Sequence, residues 1–189
     1  VDLSGKDLTG TILTGANLSD TILTGVNLSG KDLTGTKLAG VDLSGMDLAG
    51  TNLVGADLSG MNLTGTIFTG ADLSGVNLAN AILVNANLEN ATLEGVKLLD
   101  ADLDSVNLTN ANLRNTILVD ANLSNAILIG ADLSGAILTG AILTGADLEN
   151  AVLTNTILNC VFHPICTPTG AELSGKDLTG TNLVGADLS

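Results

Sequence analysis

Residues 71–90 read ADLSGVNLANAILVNANLEN, four successive five-residue units that each have a leucine at the centre. The same spacing runs along the whole chain, since 35 of the 38 positions taken every fifth residue from Leu3 to Leu188 are leucine. All 23 glycines fall two residues after such a position. A period of five matches neither the helical period of about 3.6 nor the strand period of 2, so it predicts a short strand followed by a turn.

Each position of the unit has its own preference, and we name the five positions L−2, L−1, L, L+1 and L+2. Residues two apart on a strand face the same way, so the leucine and the small residue at L−2 point inward, and L−1 and L+1 point outward. L−1 holds 12 Asp, 10 Asn and 9 Ile, and L+1 is mainly Ser or Thr. At L+2, 34 of 37 residues are Gly, Asn or Asp, the types that accept a positive φ in the third residue of a turn.

A single unit cannot bury its own leucine, so the repeat predicts a solenoid. Stacked coils enclose the leucines in a continuous column and join their backbones in a parallel ladder. Lys6, Lys31 and Lys176 stand at the inward L−2 position. We expect their amines to turn outward toward the aspartates that follow, because a buried unpaired ammonium is costly.

The pattern Ala-(Asp/Asn)-Leu, as in Ala16-Asn17-Leu18, Ala56-Asp57-Leu58 and Ala131-Asp132-Leu133, closely resembles the pentapeptide repeat family. The resemblance covers essentially the whole chain and implies an all-β fold, a right-handed quadrilateral parallel β-helix with 20 residues per coil. That gives about nine and a half coils and a length of roughly 45 Å at ~4.8 Å per coil. We expect residues 1–189 to form one such domain, with an irregular loop at 160–170.

Composition excludes several classes of function. The net charge is −14, from 20 acidic and 6 basic residues, and only two aromatic residues are present, so we expect no direct binding of nucleic acid. No apolar run approaches the ~18 residues of a membrane span, and we expect no contact with a membrane. The chain starts and stops in repeat frame with no capping segment, so we expect either that it is trimmed from something longer or that rods self-associate by stacking end to end.

The one serious break in the repeat is residues 160–169, where His163 and Pro168 replace two of the leucines. Three interpretations of Cys160 and Cys166 remain open: two free thiols, a disulfide that closes the loop, or a metal site with His163. A disulfide would indicate a periplasm or a thylakoid lumen, and free thiols agree with a cytoplasmic protein. No partner group for a Cys–His nucleophile is evident, so we expect no catalytic residue, no metal and no cofactor.

Arranging the chain at 20 residues per coil places Ile117, Ile137 and Ile157 in one outward column, with Leu99 and Val119 beside it. Branched residues suit a strand surface even in water, and a contiguous apolar column also suits a contact with a protein partner or a second copy. We retain both interpretations of this face.

The sequence favours a non-enzymatic structural or protein-interaction module, similar to the pentapeptide repeat proteins abundant in cyanobacteria, whose biochemical roles are largely unassigned. The alternative implied by the resemblance is a DNA mimic that binds a type II topoisomerase such as gyrase and protects it from quinolones. Charge density disfavours this alternative, because duplex DNA carries about one charge per 1.7 Å and this rod about one per 3.2 Å. The sequence does not name the protein partner.

Overall fold

The computed structural model describes residues 1–158 of the 189-residue chain. Within that part there is no helix, and each strand is reduced to a single bridge residue followed two positions later by a turn. The bridges are parallel and join residues 20 apart, from Asp2 with Ile22 to Ile137 with Ile157. The described chain is therefore a β-helix in which each coil has 20 residues and places one unit on each of four walls.

We number the walls by their outward L−1 residues, which recur every 20 residues. Wall 1 begins with Asp2, wall 2 with Asp7, wall 3 with Ile12 and wall 4 with Asn17. Parallel bridges run up each wall, and side chains of one column therefore lie directly above one another.

The leucines fill the inside of the tube. From Leu23 to Leu158 every residue at the L position is at most 3% exposed, and Phe68 replaces leucine without leaving the core. Alanines at L−2 complete this core and are also buried from Ala56 to Ala151. Buried threonines at L−2 keep their hydroxyls satisfied by donating to a leucine carbonyl, as Thr36 does to Leu13 at 2.9 Å.

The turns are uniform. The L−2 amide of each following unit donates to the leucine carbonyl, from Lys6 to Leu3 at 2.9 Å up to Thr156 to Leu153 at 3.1 Å. Every L+2 residue from Gly5 to Asn155 has a positive φ, including Ser105 at 57°. A left-handed third residue closes each corner, as the Gly, Asn and Asp preference predicted.

The ladder between coils is complete only in the later part of the described chain. Bridges follow one another without a gap from Asp47 onward, and the wall 2 pair Asp7–Asn27 is one of five earlier pairs that form none. Lys6 is exposed and Lys31 half-buried, so neither amine is enclosed in the core, as expected. Neither amine forms an ion pair with the aspartate that follows it within the described residues. Hydrogen bonds from Thr9 lower the pKa of Asp7, and the Lys31 charge in the neighbouring coil adds to this effect. Lys176 lies outside the described residues.

Candidate functional site

The outward Asp and Asn residues have a structural task that the sequence reasoning missed. All nineteen described residues of these types at L−1 accept a hydrogen bond through Oδ1 from the backbone N–H two residues later, at 2.8–3.2 Å. The sequence signal for this Asx turn is the preference for Ser and Thr at L+1. Their hydroxyls often donate to the same oxygen, as the Ser124 hydroxyl does to Asn122 Oδ1 at 2.6 Å.

This cap completes the backbone hydrogen bonding of a unit. In residues 101–105 four amides donate to backbone carbonyls at 2.7–3.1 Å, three of them in neighbouring coils. The remaining amide, that of Asp104, donates to the side chain of Asp102 at 3.2 Å. Without Asp or Asn at L−1, the L+1 amide faces outward with no acceptor from its own unit.

Hydrogen bonding to the caps also fixes their charge. Hydrogen bonds from the side chain and backbone of Ser59 lower the pKa of Asp57 against a smaller opposing effect of burial. Burial is the largest influence on Asp132, but hydrogen bonds from Ser134 and Arg114 outweigh it together and lower the pKa of that carboxyl. Arg114 forms the one ion pair among residues 1–158, at 3.1 Å from Asp132. The hydrogen bonds of the cap thus favour the ionised form of these carboxyls.

Wall 4 is the place where caps are missing in succession. On walls 1, 2 and 3 no two uncapped units follow one another in the described chain, whereas Lys97, Ile117, Ile137 and Ile157 do so on wall 4. The L+1 amides of Leu99, Val119 and Thr139 consequently have no hydrogen-bond acceptor within the described chain. We call the five residues Leu99, Ile117, Val119, Ile137 and Ile157 the wall 4 patch.

The patch is a continuous apolar column with an exposed end. Bridges join Ile117 to Ile137 and Ile137 to Ile157, so the three side chains stack, and each is half-buried by its neighbours. Val119 is half-buried as well, and Leu99 is 39% exposed. The structure therefore brings together the five residues that the sequence placed on one face.

Charge is also distributed unevenly around the rod at this height. The outward positions of wall 4 between Lys97 and Ile157 carry no carboxylate in the described chain. Asp102 on wall 1, Asp147 on wall 2 and Asp132 on wall 3 lie at comparable levels. Among residues 97–158, wall 4 is thus the only wall without a carboxylate at L−1 or L+1, and its two acids, Asp100 and Asp120, lie at the L+2 corner.

The other candidate sites stay untested. Cys160, Cys166 and His163 lie outside the described residues, and the interpretation of the two cysteines remains as the sequence left it. Residues 1–158 contain no group of three or more His, Cys, Asp or Glu side chains placed to hold a metal ion. No helix in the described range is long and apolar enough to cross a membrane.

A four-walled tube of five-residue units, with leucine inside and Asx caps outside, defines a β-solenoid of pentapeptide type. Comparison with family models agrees: the model for pentapeptide repeats matches in eight copies over residues 1–30, 32–70, 71–110, 107–145, 137–161 and 169–189. The chain belongs to the pentapeptide repeat family, and its fold is the right-handed quadrilateral β-helix of that family.

The solved structure of HetL supports the same fold. HetL, a pentapeptide repeat protein involved in heterocyst differentiation regulation in the cyanobacterium Nostoc sp. strain PCC 7120, is 32% identical with a TM-score of 0.55, covering 98% of this chain and 86% of HetL. Rfr23 from the cyanobacterium Cyanothece 51142 is 42% identical over 50% of this chain and 58% of its own, with a TM-score of 0.31. QnrB1, a plasmid-mediated fluoroquinolone resistance protein, is 22% identical over 93% and 85%, with a TM-score of 0.45. A search of curated proteins gave no match.

Proposed function

We propose that this protein is a non-enzymatic interaction module, a rod that binds another protein through the wall 4 patch. The observation that carries the proposal is a coincidence on one wall: stacked isoleucines, no carboxylate at L−1 or L+1 from Lys97 to Ile157, and L+1 amides that have no acceptor within the described chain. A partner that covers this wall removes apolar surface from water and leaves Asp100 and Asp120 at its corner.

The state of the carboxylates supports a non-enzymatic role. A carboxylic acid that donates a proton in catalysis needs a raised pKa. The aspartates with a shifted pKa all have it lowered, mainly by hydrogen bonds from their own turns, with a smaller contribution from Arg114 at Asp132. Their charge is part of the scaffold, which favours binding over proton transfer.

The same columns disfavour DNA mimicry as the alternative function. Among residues 1–158, no Asp at L−1 has another Asp at L−1 one coil above or below it. Asn often fills the neighbouring place, and Asn122 donates from Nδ2 to Asp102 at 2.9 Å. Duplex DNA presents an unbroken row of charges about 1.7 Å apart along its axis, whereas the L−1 columns interrupt their aspartates with other residues.

The test is a set of matched variants. Ile117→Asn with Ile137→Asn removes the apolar column and supplies the cap used by nineteen other units, so we expect the variant to fold. Ile82→Asn with Ile127→Asn makes the same chemical change at isolated, exposed isoleucines on walls 1 and 2. Proteins captured from an extract of the source organism by the natural chain and the control, but not by the patch variant, would support the proposal.

Equal capture by all three proteins would contradict the wall 4 patch as the binding surface. A gyrase supercoiling assay tests the alternative directly. Inhibition at low micromolar concentration, with the patch variant as active as the natural chain, would favour DNA mimicry and overturn the proposal.

A further inference from the structure

We infer that the wall 4 patch binds a second copy of this chain, wall to wall, with the two rods parallel. The inference rests on the proposed function, because it names the partner of the same surface. Three observations support it: the distance between stacked coils, the distribution of charged residues over the four walls, and the position of Lys97.

The first argument is the spacing of the apolar side chains. Ile117, Ile137 and Ile157 are joined by ladder bridges, so they recur at the coil rise of ~4.8 Å. A row of side chains at this spacing interlocks best with a second row of the same spacing, as in two packed sheets. A second copy of the rod supplies such a row over the full height of the patch.

The second argument is electrostatic. Two chains that each carry a net charge of −14 repel one another, and contact through wall 1, 2 or 3 would bring outward carboxylates together. At the height of the patch, wall 4 offers only Lys97 and neutral side chains at its outward positions. In a contact between two wall 4 surfaces, Asp100 and Asp120 therefore stay at the corner, outside the apolar columns.

The third argument selects the parallel arrangement. A twofold axis along the rods places the L−1 column of one copy against the L+1 column of the other at equal height. Ile117 then packs on Val119 of the second copy, and Ile137 packs on Thr139. The corner residue Asp100 of the second copy comes to lie beside Lys97.

Lys97 and Asp100 are both exposed, and Lys97 has no ion pair within the described part of one chain. In the parallel dimer they form two symmetric pairs at the rim of the contact. In an antiparallel dimer the isoleucine columns would face each other and Lys97 would lie at the edge away from Asp100. The charges thus favour parallel rods.

The contact is small, and this sets the expected affinity. Four coil levels at ~4.8 Å give a patch about 20 Å tall, on the order of 300 Å² per copy, against ~800 Å² per partner in a standard interface. We therefore expect a weak dimer that forms at tens to hundreds of micromolar protein and dissociates on dilution.

Sedimentation equilibrium of the natural chain over a concentration series tests the inference. We expect the average mass to rise from 18.9 kDa toward twice that value. Ile117→Asn with Ile137→Asn should weaken association at least tenfold, and the control Ile82→Asn with Ile127→Asn should leave it within about twofold. Circular dichroism and thermal unfolding of each variant establish that it is folded.

A charge swap tests the arrangement of the rods. Lys97→Glu alone should weaken the dimer about tenfold, because the change occurs twice in a symmetric contact, and adding Asp100→Lys should restore it to within about threefold. No restoration by the double swap would overturn the parallel arrangement.

A natural chain that stays monomeric at the highest concentration would overturn self-association altogether. That result leaves the proposed function intact if the patch variant still loses a protein captured by the natural chain and by the control. If the natural chain dimerises but captures no protein that the patch variant fails to capture, binding of a different protein through this surface is contradicted. The two failures are thus distinguishable.

Discussion

The coils up to residue 62 and those from residue 63 onward have the same turns, but they differ in the backbone ladder that joins neighbouring coils. The turn hydrogen bond to the leucine carbonyl is present in both regions. Bridges are missing at five wall pairs of the first region, and from residue 63 none is missing within the described chain. The turn is therefore a local product of five residues, whereas the ladder depends on residues 20 positions apart.

The inward L−2 position distinguishes the two regions. Alanine occupies 2 of 13 such positions up to Met61 and 13 of 19 from Thr66 to Thr156. Larger side chains therefore stack at L−2 in the first coils, and we attribute the gaps in the ladder to this crowding. An open cavity of about 870 Å³ lies against residues 35–42 and 55–62, with Leu38, Val41 and Met61 in its lining.

The two methionines accompany two of the five gaps. Met46 and Met61 lie above Val26 and Val41 in their columns, and the bridge is missing on that side of each. On the other side, above the methionines, the ladder is intact, and the Met61 carbonyl accepts from the Ile82 amide at 2.9 Å. In these two columns we attribute the gap to a long side chain stacked over a β-branched one, since the bridges return where Thr66 and Ala81 follow.

The largest expected difference between the regions is the cost of emptying the core. Leu113 is fully buried, so Leu113→Ala should lower the free energy of unfolding by about 3–4 kcal/mol. Leu8 is only partly buried, and Leu8→Ala should cost less than half as much. Urea unfolding of both variants measures this, and equal costs would contradict the difference in packing.

Stacked carboxylates give the next effect. Asn52 lies between Asp32 and Asp72 on wall 3, so Asn52→Asp creates three like charges in one column. We expect the Tm to fall by roughly 2–5 °C at low salt and to recover at about 1 M salt.

The matched control for this variant is Asn17→Asp, which lies beneath Lys37 on wall 4. Its new carboxylate gains an opposite charge as neighbour, and we expect the Tm to stay within about 1 °C of the natural value. A similar fall in both variants would show that loss of the amide, and not repulsion, is responsible.

Relieving the crowding should close the ladder locally. Met61→Ala is expected to slow amide exchange at Leu43 and Asn62 by about tenfold, while net stability changes by less than ~1 kcal/mol because lost burial offsets the new hydrogen bonds. The amide of Ile82, on the intact side of Met61, is the internal control. If amide exchange at Leu43 does not change, Met61 is not the cause of the missing bridge between Asp42 and Asn62.

Acid should weaken the caps in both regions. Hydrogen bonds from Ser44 lower the pKa of Asp42 below its ordinary 3.8. The cap therefore contributes its full stability above pH 3.8 and loses it as the pH falls through the lower folded value. Asp42→Asn keeps a cap that does not titrate, so thermal unfolding of the variant should depend slightly less on pH in this range. An identical pH profile would contradict the role of the carboxylate.

The sequence predicted the parts of the fold that repeat within five residues. The burial of the leucines and the positive φ at L+2 follow from the two-residue period of a strand and the five-residue period of the repeat. The column Ile117–Ile137–Ile157 required the 20-residue coil, which came from resemblance and not from the period. The Asx caps were missed although their signal, Asp or Asn followed two residues later by Ser or Thr, was present in the repeat.

The gaps in the ladder were beyond sequence reasoning of this kind. Val26 and Met46 are each acceptable at L−2, and only their superposition in one column separates the coils. The same holds for the missing caps on wall 4, which matter because four of them are vertically adjacent. Both features depend on which residues lie above one another in neighbouring coils, and the composition of a single unit does not show this.

Amide hydrogen exchange along the natural chain tests the central claim most directly. The account predicts strong protection for the leucine amides from Leu63 to Leu138, each bonded to the next coil at 2.7–2.8 Å, and weak protection at Leu8, Leu13, Leu23, Leu28 and Leu43. Uniform protection in both regions would contradict it, since the ladder would then be continuous from the first coil.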